Sequence, residues 1–202
     1  MKLIKPKFWK TKNFISLILY PLSAITFLIN SIKKFSTKQT FEIKTICIGN
    51  IFIGGTGKTS LAIEINELLR NKFRTVFIKK NYKNQIDEIN LLNNKGKIIS
   101  SSNREDALLT ASKKKYQLAI LDDGLQQKNI NYSLRIACFN SEYGLGNEFT
   151  LPAGPLRENL SVIKNYDLIF LNGEKKNKKI LSKFKSINKD LKIFEGKYKP
   201  LN

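Results

Sequence analysis

Residues 13–32, NFISLILYPLSAITFLINSI, hold no charge in twenty positions. Within this run Ser16, Tyr20, Ser23 and Asn30 fall close to one helical stripe, which predicts an apolar helix with a polar seam, interrupted in the middle by Pro21. From residue 43 the period changes. IKTICIGNIF reads as a buried strand, and KTSLAIEINELLRNK as a helix with apolar positions at Leu61, Ile65, Leu68 and Leu69. RTVFIKK is a second strand, DEINLLNNK a short helix or loop, GKIIS a third strand, NREDALLTASKKK a helix and YQLAILDDG a fourth strand. YSLRIACFN and YDLIFLNG are two more strands, and the lysine-rich stretch after them reads as a basic helix and a strand. Strands alternating with helices predict an α/β fold, its sheet mostly parallel with helices on both faces.

The junction between the first strand and the next helix carries the first chemistry. Gly54, Gly55 and Gly57 let backbone N–H groups turn toward a phosphate without a Cβ in the way. The helix that follows offers its positive end to the same anion, with Thr56 and Ser60 in the same turn. Lys58 supplies a charge for β- and γ-phosphates, and Thr59 a hydroxyl for Mg²⁺. The usual phosphate loop has a glycine where this chain has Phe52. The roles need only G-x-G-K-T on a strand–loop–helix, so Phe52 points to a variant loop in a P-loop NTPase-like sheet. The plain alternative is a glycine-rich turn with no ligand.

Such a loop needs an acidic partner on a neighbouring strand. LAILDDG supplies it: Asp122 and Asp123 end an apolar strand at the edge where open α/β sheets bind ligands. Adjacent carboxylates there repel unless a cation separates them, and Mg²⁺ would do so. The bland reading is an Asp-Asp-Gly turn. LPAGPLRE, residues 151–158, is a stiff turn ending in Arg157, a candidate phosphate clamp, and Glu158, a candidate holder of a metal-bound water. A structural loop explains those residues equally well.

Charge adds a partner. The net charge is +20, but of the 36 basic residues only five are Arg. Nucleic-acid readers lean on Arg for bidentate contacts, so most of the excess reads as solvated background and the rest as attraction to an anionic partner, a membrane surface or nucleic acid. The partner expected for the chain as a whole is a membrane surface, with no nucleic acid. Five lysines precede residue 13, and Lys33, Lys34 and Lys38 follow the apolar run. Three placements remain open for that run: an interfacial helix on an anionic leaflet, a membrane span, or a cap on the protein's own core. The absence of His removes the commonest general base and metal ligand. Cys47 and Cys138 lie in apolar strands without metal spacing and read as buried thiols.

Together GNIFIGGTGKTS, IDEINLL, NREDA, LDDGLQQ and LPAGPLREN resemble the tetraacyldisaccharide 4′-kinase family, in order and spacing, over most of the chain. The resemblance implies that ATP with Mg²⁺ phosphorylates the 4′-hydroxyl of a tetraacyldisaccharide 1-phosphate on the cytoplasmic face of the inner membrane, giving lipid IVA. Asp87 is then the general base and Arg157 a catalytic contact. Gly54, Gly55, Thr56, Gly57, Lys58, Thr59, Ser60 and Gln126 bind the nucleotide. Thr59, Asp122, Asp123 and Glu158 face the metal, and Arg104 matches a basic residue near the active site. The implied division is a membrane-associated segment at 1–40, a kinase core at 41–175, and a basic linker at 176–202 that begins a second lobe.

Three departures stand out. Residues 79–82 are Lys-Lys-Asn-Tyr where the family has Ser-Arg-Gly-Tyr, and Gln127 replaces a His. The chain is also shorter than the roughly three hundred residues of the family, which predicts a truncated or short member. The competing readings are a P-loop switch ATPase or GTPase of the partition or targeting kind, and a catalytically impaired fragment. Oligomeric state is not legible in the sequence.

Overall fold

The computed structural model describes residues 5–32, 37–82, 86–174 and 177–197. In chain order the elements are α1 (Phe14–Ile32), β1 (Lys44–Gly49), α2 (Lys58–Leu69), β2 (Thr75–Lys80), α3 (Ile86–Asn93), β3 (Ile98–Ser101), α4 (Arg104–Lys113), β4 (Leu118–Asp122), β5 (Leu134–Asn140), β6 (Leu168–Asn172), α5 (Lys178–Ile187) and β7 (Lys192–Gly196). The expected alternation of strands and helices is present, and the strand pairs given below are parallel. The chain forms two compact units, each assembled from separate stretches. One comprises Thr37–Gly49 and Gly57–Ile136. The other comprises Met1–Ser36, Asn50–Thr56 and Ala137–Asn202.

In the first unit the strands run in the order β3-β2-β4-β1. The register sets Ile48 beside Asp122 and Ile78 beside Leu121, so β1, β2 and β4 end at the same edge. Their apolar runs are buried on both faces, as parallel strands covered by helices require: Cys47, Ile48, Phe77, Ile78, Ile120 and Leu121 are inaccessible. α4 starts at a side-chain cap, with Asn103 Oδ1 accepting from the Glu105 N–H at 3.0 Å. α2 departs from expectation. Leu68 is exposed, and the buried positions are Ala62 and Asn66. Asn66 stays satisfied inside, accepting from Thr75 Oγ1 at 2.7 Å and donating to the Lys95 carbonyl at 3.1 Å. Cys47 is a free buried thiol, as read from the sequence, and burial pushes its pKa up to about 12.

In the second unit, which takes β5 from Ala137 onward, the strand order is β5-β6-β7, with β6 and β7 parallel from Leu168↔Lys192 to Asn172↔Gly196. α5 turns Ile180 and Phe184 inward, and Phe184 meets the Phe139 ring at 4.7 Å between centroids. Cys138 is likewise free and buried.

α1 also belongs to this unit. It begins with a reciprocal cap: Asn13 Oδ1 accepts from the Ser16 N–H, and Ser16 Oγ accepts from the Asn13 N–H. The helix continues through Pro21 instead of breaking there. Its polar stripe faces inward. Ser16 and Ser23 are buried, Ser23 Oγ donates to the Thr150 carbonyl at 2.8 Å, and Thr26 Oγ1 donates to the Leu151 carbonyl at 2.9 Å. Tyr20, by contrast, is largely exposed, although its ring meets Phe149. Phe14, Ile15, Leu17, Ile18, Leu22, Ile25 and Leu28 are each about half exposed or more. Among the described residues no helix is long and apolar enough to cross a membrane. The Asn30 side chain and residues 33 and 34, on which part of the sequence reading rested, lie outside what is described.

Candidate functional site

The phosphate-loop residues are held differently on the two sides of Gly57. On the Asn50–Thr56 side, Asn50 is inaccessible, and its Nδ2 lies within hydrogen-bond distance of the Phe52 carbonyl (2.6 Å), the Gly54 carbonyl (3.3 Å) and Thr56 Oγ1 (3.0 Å). One amide thus ties three points of the loop. Phe52 is buried and makes an antiparallel bridge with Leu156, while the Ile53 N–H donates to the Pro155 carbonyl at 2.9 Å. The residue that replaces the expected glycine is therefore an anchor of the loop to LPAGPLRE. Arg157 is half-buried, and its N–H donates to the Ile51 carbonyl. Glu158 is buried, with Oε2 accepting from Tyr166 Oη at 3.4 Å. Gly54 has φ +124, and a Cβ there would meet Lys5 Nζ at 2.7 Å, whereas one at Gly55 would meet open space. Thr56 is buried, its hydroxyl engaged by Asn50.

On the Gly57 side, Gly57 is the N-cap of α2 in the left-handed region, φ 83, where any other residue would be strained. Lys58 and Thr59 open the helix, with Ser60 half-buried behind them. Thr59 Oγ1 donates to Asp122 Oδ2 at 3.1 Å, and Lys58 Nζ lies 3.8 Å from Asp123 Oδ1. The loop lysine, the loop hydroxyl and both acids are thus brought together within one unit. The two acids do not share one environment. Asp122 is inaccessible; Asp123 is partly open and has positive φ, +61, a costly conformation for a non-glycine residue at a sheet edge. Arg104, itself buried, braces that turn: its Nη2 donates to the Asp123 carbonyl at 2.7 Å and its Nη1 to Gln127 Oε1 at 3.2 Å. Gln127 is therefore the amide that Arg104 holds; Gln126 is half-buried beside it.

Asp122 has a further partner that sequence reasoning missed. Lys79, at the end of β2 and only 2% exposed, places Nζ 2.6 Å from Asp122 Oδ2, and the same ammonium is paired with Glu88. Burial draws this lysine toward its neutral form. The Asp122 charge and the hydrogen bonds to Asp122 and Glu88 outweigh that pull, and the pKa is raised. Removing either member of such a buried pair typically costs about 3–5 kcal/mol, because the other charge is left uncompensated. Asp87, in the first turn of α3 beside Glu88, is exposed.

Mg²⁺ fits this arrangement in one respect that can be checked. Asp122 Oδ1 is buried without a hydrogen-bond partner among the described residues, a costly state for a carboxylate oxygen unless something else completes it. No three His, Cys, Asp or Glu side chains among the described residues group closely enough to hold a metal alone. That is the ordinary condition of Mg²⁺ in phosphate-transfer sites, which takes one or two protein oxygens and the rest from phosphate and water.

Asn50 and Lys79 were the residues not found from the sequence. Asn50 sits at the end of the strand reading, and only its three contacts reveal its role. Asn50→Ala is expected to raise the nucleotide Kd by about tenfold, since each lost tie within a buried loop costs about 1 kcal/mol or more. Titration with a fluorescent ATP analogue measures this, and an unchanged Kd would show that the loop holds its shape without the amide.

Comparison with known proteins places this geometry. The sequence profile of LpxK, tetraacyldisaccharide-1-P 4′-kinase, matches residues 15–202. A tetraacyldisaccharide 4′-kinase of Pelagibacter ubique is 50% identical over 206 aligned residues, covering 100% of this chain and 66% of the relative. One from Rickettsia typhi is 33% identical, covering 85% of this chain and 59% of the relative. The crystal structure of LpxK from Aquifex aeolicus in complex with ATP superposes with a TM-score of 0.69 at 26% identity, over 78% of this chain and 59% of that one. The chain thus spans about two thirds or less of the length of each.

Proposed function

This chain belongs to the tetraacyldisaccharide-1-P 4′-kinase family, and on that premise we propose that it transfers the γ-phosphate of ATP to the 4′-hydroxyl of a tetraacyldisaccharide 1-phosphate. The observation that carries the reading is the pairing of Thr59 with Asp122 at 3.1 Å beside the Lys58–Asp123 pair. A loop lysine and a loop hydroxyl matched to two strand-end carboxylates form the core of a Mg²⁺–triphosphate site.

Each residue then has a task. Gly54, Gly55 and Gly57 turn backbone N–H groups toward the phosphates, and Lys58 leaves Asp123 to neutralise charge on the transferring group. Thr59 and Asp122 would hold Mg²⁺, with Asp123 and Glu158 as further metal-facing acids. The metal, when bound, would supply neutralisation of the phosphate charge. Arg157 and Gln126 supply polar contacts to the nucleotide. Asp87 accepts the proton of the attacking hydroxyl, for which its exposure suits it: the acceptor must arrive from outside. The acceptor's acyl chains stay in a bilayer, so the protein must work at the membrane surface, on the side where ATP is found. The outward apolar residues of α1 and the basic charge suit that surface.

The test is direct. Full-length protein in detergent micelles with γ-labelled ATP, Mg²⁺ and tetraacyldisaccharide 1-phosphate is expected to yield labelled lipid. ATP hydrolysis without lipid labelling, under conditions where a family member labels it, would overturn the assignment and favour a nucleotide-driven switch.

A further inference from the structure

The Lys79 ammonium has a position that the kinase reading leaves unused. It ends β2, is almost wholly buried, and touches the same oxygen, Asp122 Oδ2, that accepts from Thr59 Oγ1. That oxygen belongs to one of the two protein groups, Thr59 and Asp122, from which a Mg²⁺ site of this kind would be built. On its other side the ammonium is paired with Glu88, whose side chain is about half exposed. One cation therefore links the inner carboxylate to a carboxylate on the first turn of α3, next to Asp87.

We propose that Lys79 is a resident cation of this site, competing with Mg²⁺ for Asp122 and setting the metal concentration that nucleotide binding requires. The inference rests on the reading of Thr59 and Asp122 as the Mg²⁺–ATP site. Its physical basis is that the Lys79 ammonium, 2.6 Å from Asp122 Oδ2, already answers the charge of that carboxylate. A metal at Oδ1, unpartnered among the described residues, would therefore meet a neutralised ligand with a second cation close by, and two cations in a buried setting repel strongly. In the metal-free protein Lys79 answers the charge of Asp122, which otherwise would be buried uncompensated. When metal and nucleotide enter, Lys79 swings off Asp122 and keeps Glu88 as its counter-charge. Glu88 is thus the receiver that makes the displacement affordable. The role is a positioning one: Lys79 acts on the metal requirement through Asp122 and needs no contact with substrate.

The two partners predict shifts of opposite sign, which a plain structural ion pair does not. Lys79→Met removes the competitor and keeps the length of the side chain. Glu88→Gln removes the receiver, so that Lys79 clings to Asp122. The measurement is binding of a fluorescent ATP analogue to the full-length protein across a series of buffered free Mg²⁺ concentrations, with circular dichroism and thermal melting as controls for folding. Lys79→Met is expected to lower the free Mg²⁺ at half-saturation by about tenfold, within the usual range of coupling between linked sites, and Glu88→Gln to raise it several-fold. If Lys79→Met fails to fold, Glu88→Gln decides alone: its side chain is about half exposed, and Lys79 keeps Asp122 as a counter-charge.

A half-saturation point unchanged in the folded variants, or shifted in the same direction by both, overturns the competition while leaving the nucleotide site intact. Failure of the wild-type protein to bind the analogue at any Mg²⁺ concentration overturns the nucleotide reading and the competition with it.

Discussion

Asp87→Asn is expected to reduce turnover by about 10²–10⁴-fold while leaving the affinity for ATP within a factor of two. The magnitude is that of a general base removed from a reaction whose other contributions remain. The asymmetry follows from position. Lys58, Thr59, Asp122 and Asp123 are tied to one another by the contacts at 3.1 and 3.8 Å, and Arg104 braces the second acid from behind. Asp87 lies on a different element, in the exposed first turn of α3. Asparagine keeps the size of the side chain while removing its negative charge and its capacity to accept a proton. Single-turnover labelling of the lipid reports the chemical step, and titration with a fluorescent nucleotide reports binding. Loss of both together would move Asp87 from the base role into the nucleotide site, and loss of neither would remove it from the mechanism.

Much of the fold and part of this site could be read in the residues themselves, and the division has a physical cause. The strand–loop–helix with G-x-G-K-T and the strand ending in Asp122 and Asp123 are local patterns: spacing alone sets their backbone course, and the parallel register then brings them to one edge. What spacing does not encode is which polar group faces inward. Asn66 on α2 and Lys79 at the end of β2 occupy positions that a hydrophobic pattern assigns to solvent or to the strand boundary, yet both are buried because each meets partners outside its own element, Thr75 and Lys95 for the first, Asp122 and Glu88 for the second. Asn50 is similar. A lone asparagine after a strand has no sequence signature, and its role emerges only from three hydrogen bonds to a loop whose shape it fixes. Phe52 was legible as an anomaly but not as an anchor, since Leu156, its bridge partner, lies about a hundred residues further along. The discontinuous make-up of the two units is beyond sequence patterning for the same reason.

α1 carries the second large effect, and its orientation inverts the usual logic of an amphipathic helix. A helix on a soluble domain ordinarily buries its apolar face. Here the hydroxyls of Ser23 and Thr26 bond carbonyls of Thr150 and Leu151, Ser16 is buried at its cap, and Phe14, Ile15, Leu17, Ile18, Leu22, Ile25 and Leu28 are exposed. On the proposed reading, this exposed apolar stripe is the face that meets the membrane. Substituting Leu17, Ile18 and Ile25 together with Glu is therefore expected to abolish co-flotation with vesicles containing anionic phospholipid, while thermal melting and nucleotide binding change little. These side chains are 58%, 59% and 54% exposed and contribute little to the core. Transfer of each into lipid is worth about 2 kcal/mol at most, and carboxylates add repulsion from the anionic surface. Even half of that gain, lost at three positions, reduces partitioning by more than about 10²-fold. High salt should weaken the wild-type interaction only in part, because screening acts on the lysines and not on the buried apolar area. Flotation of the triple variant equal to wild type would show that α1 does not provide the attachment; complete release of wild type by salt would assign it to charge alone.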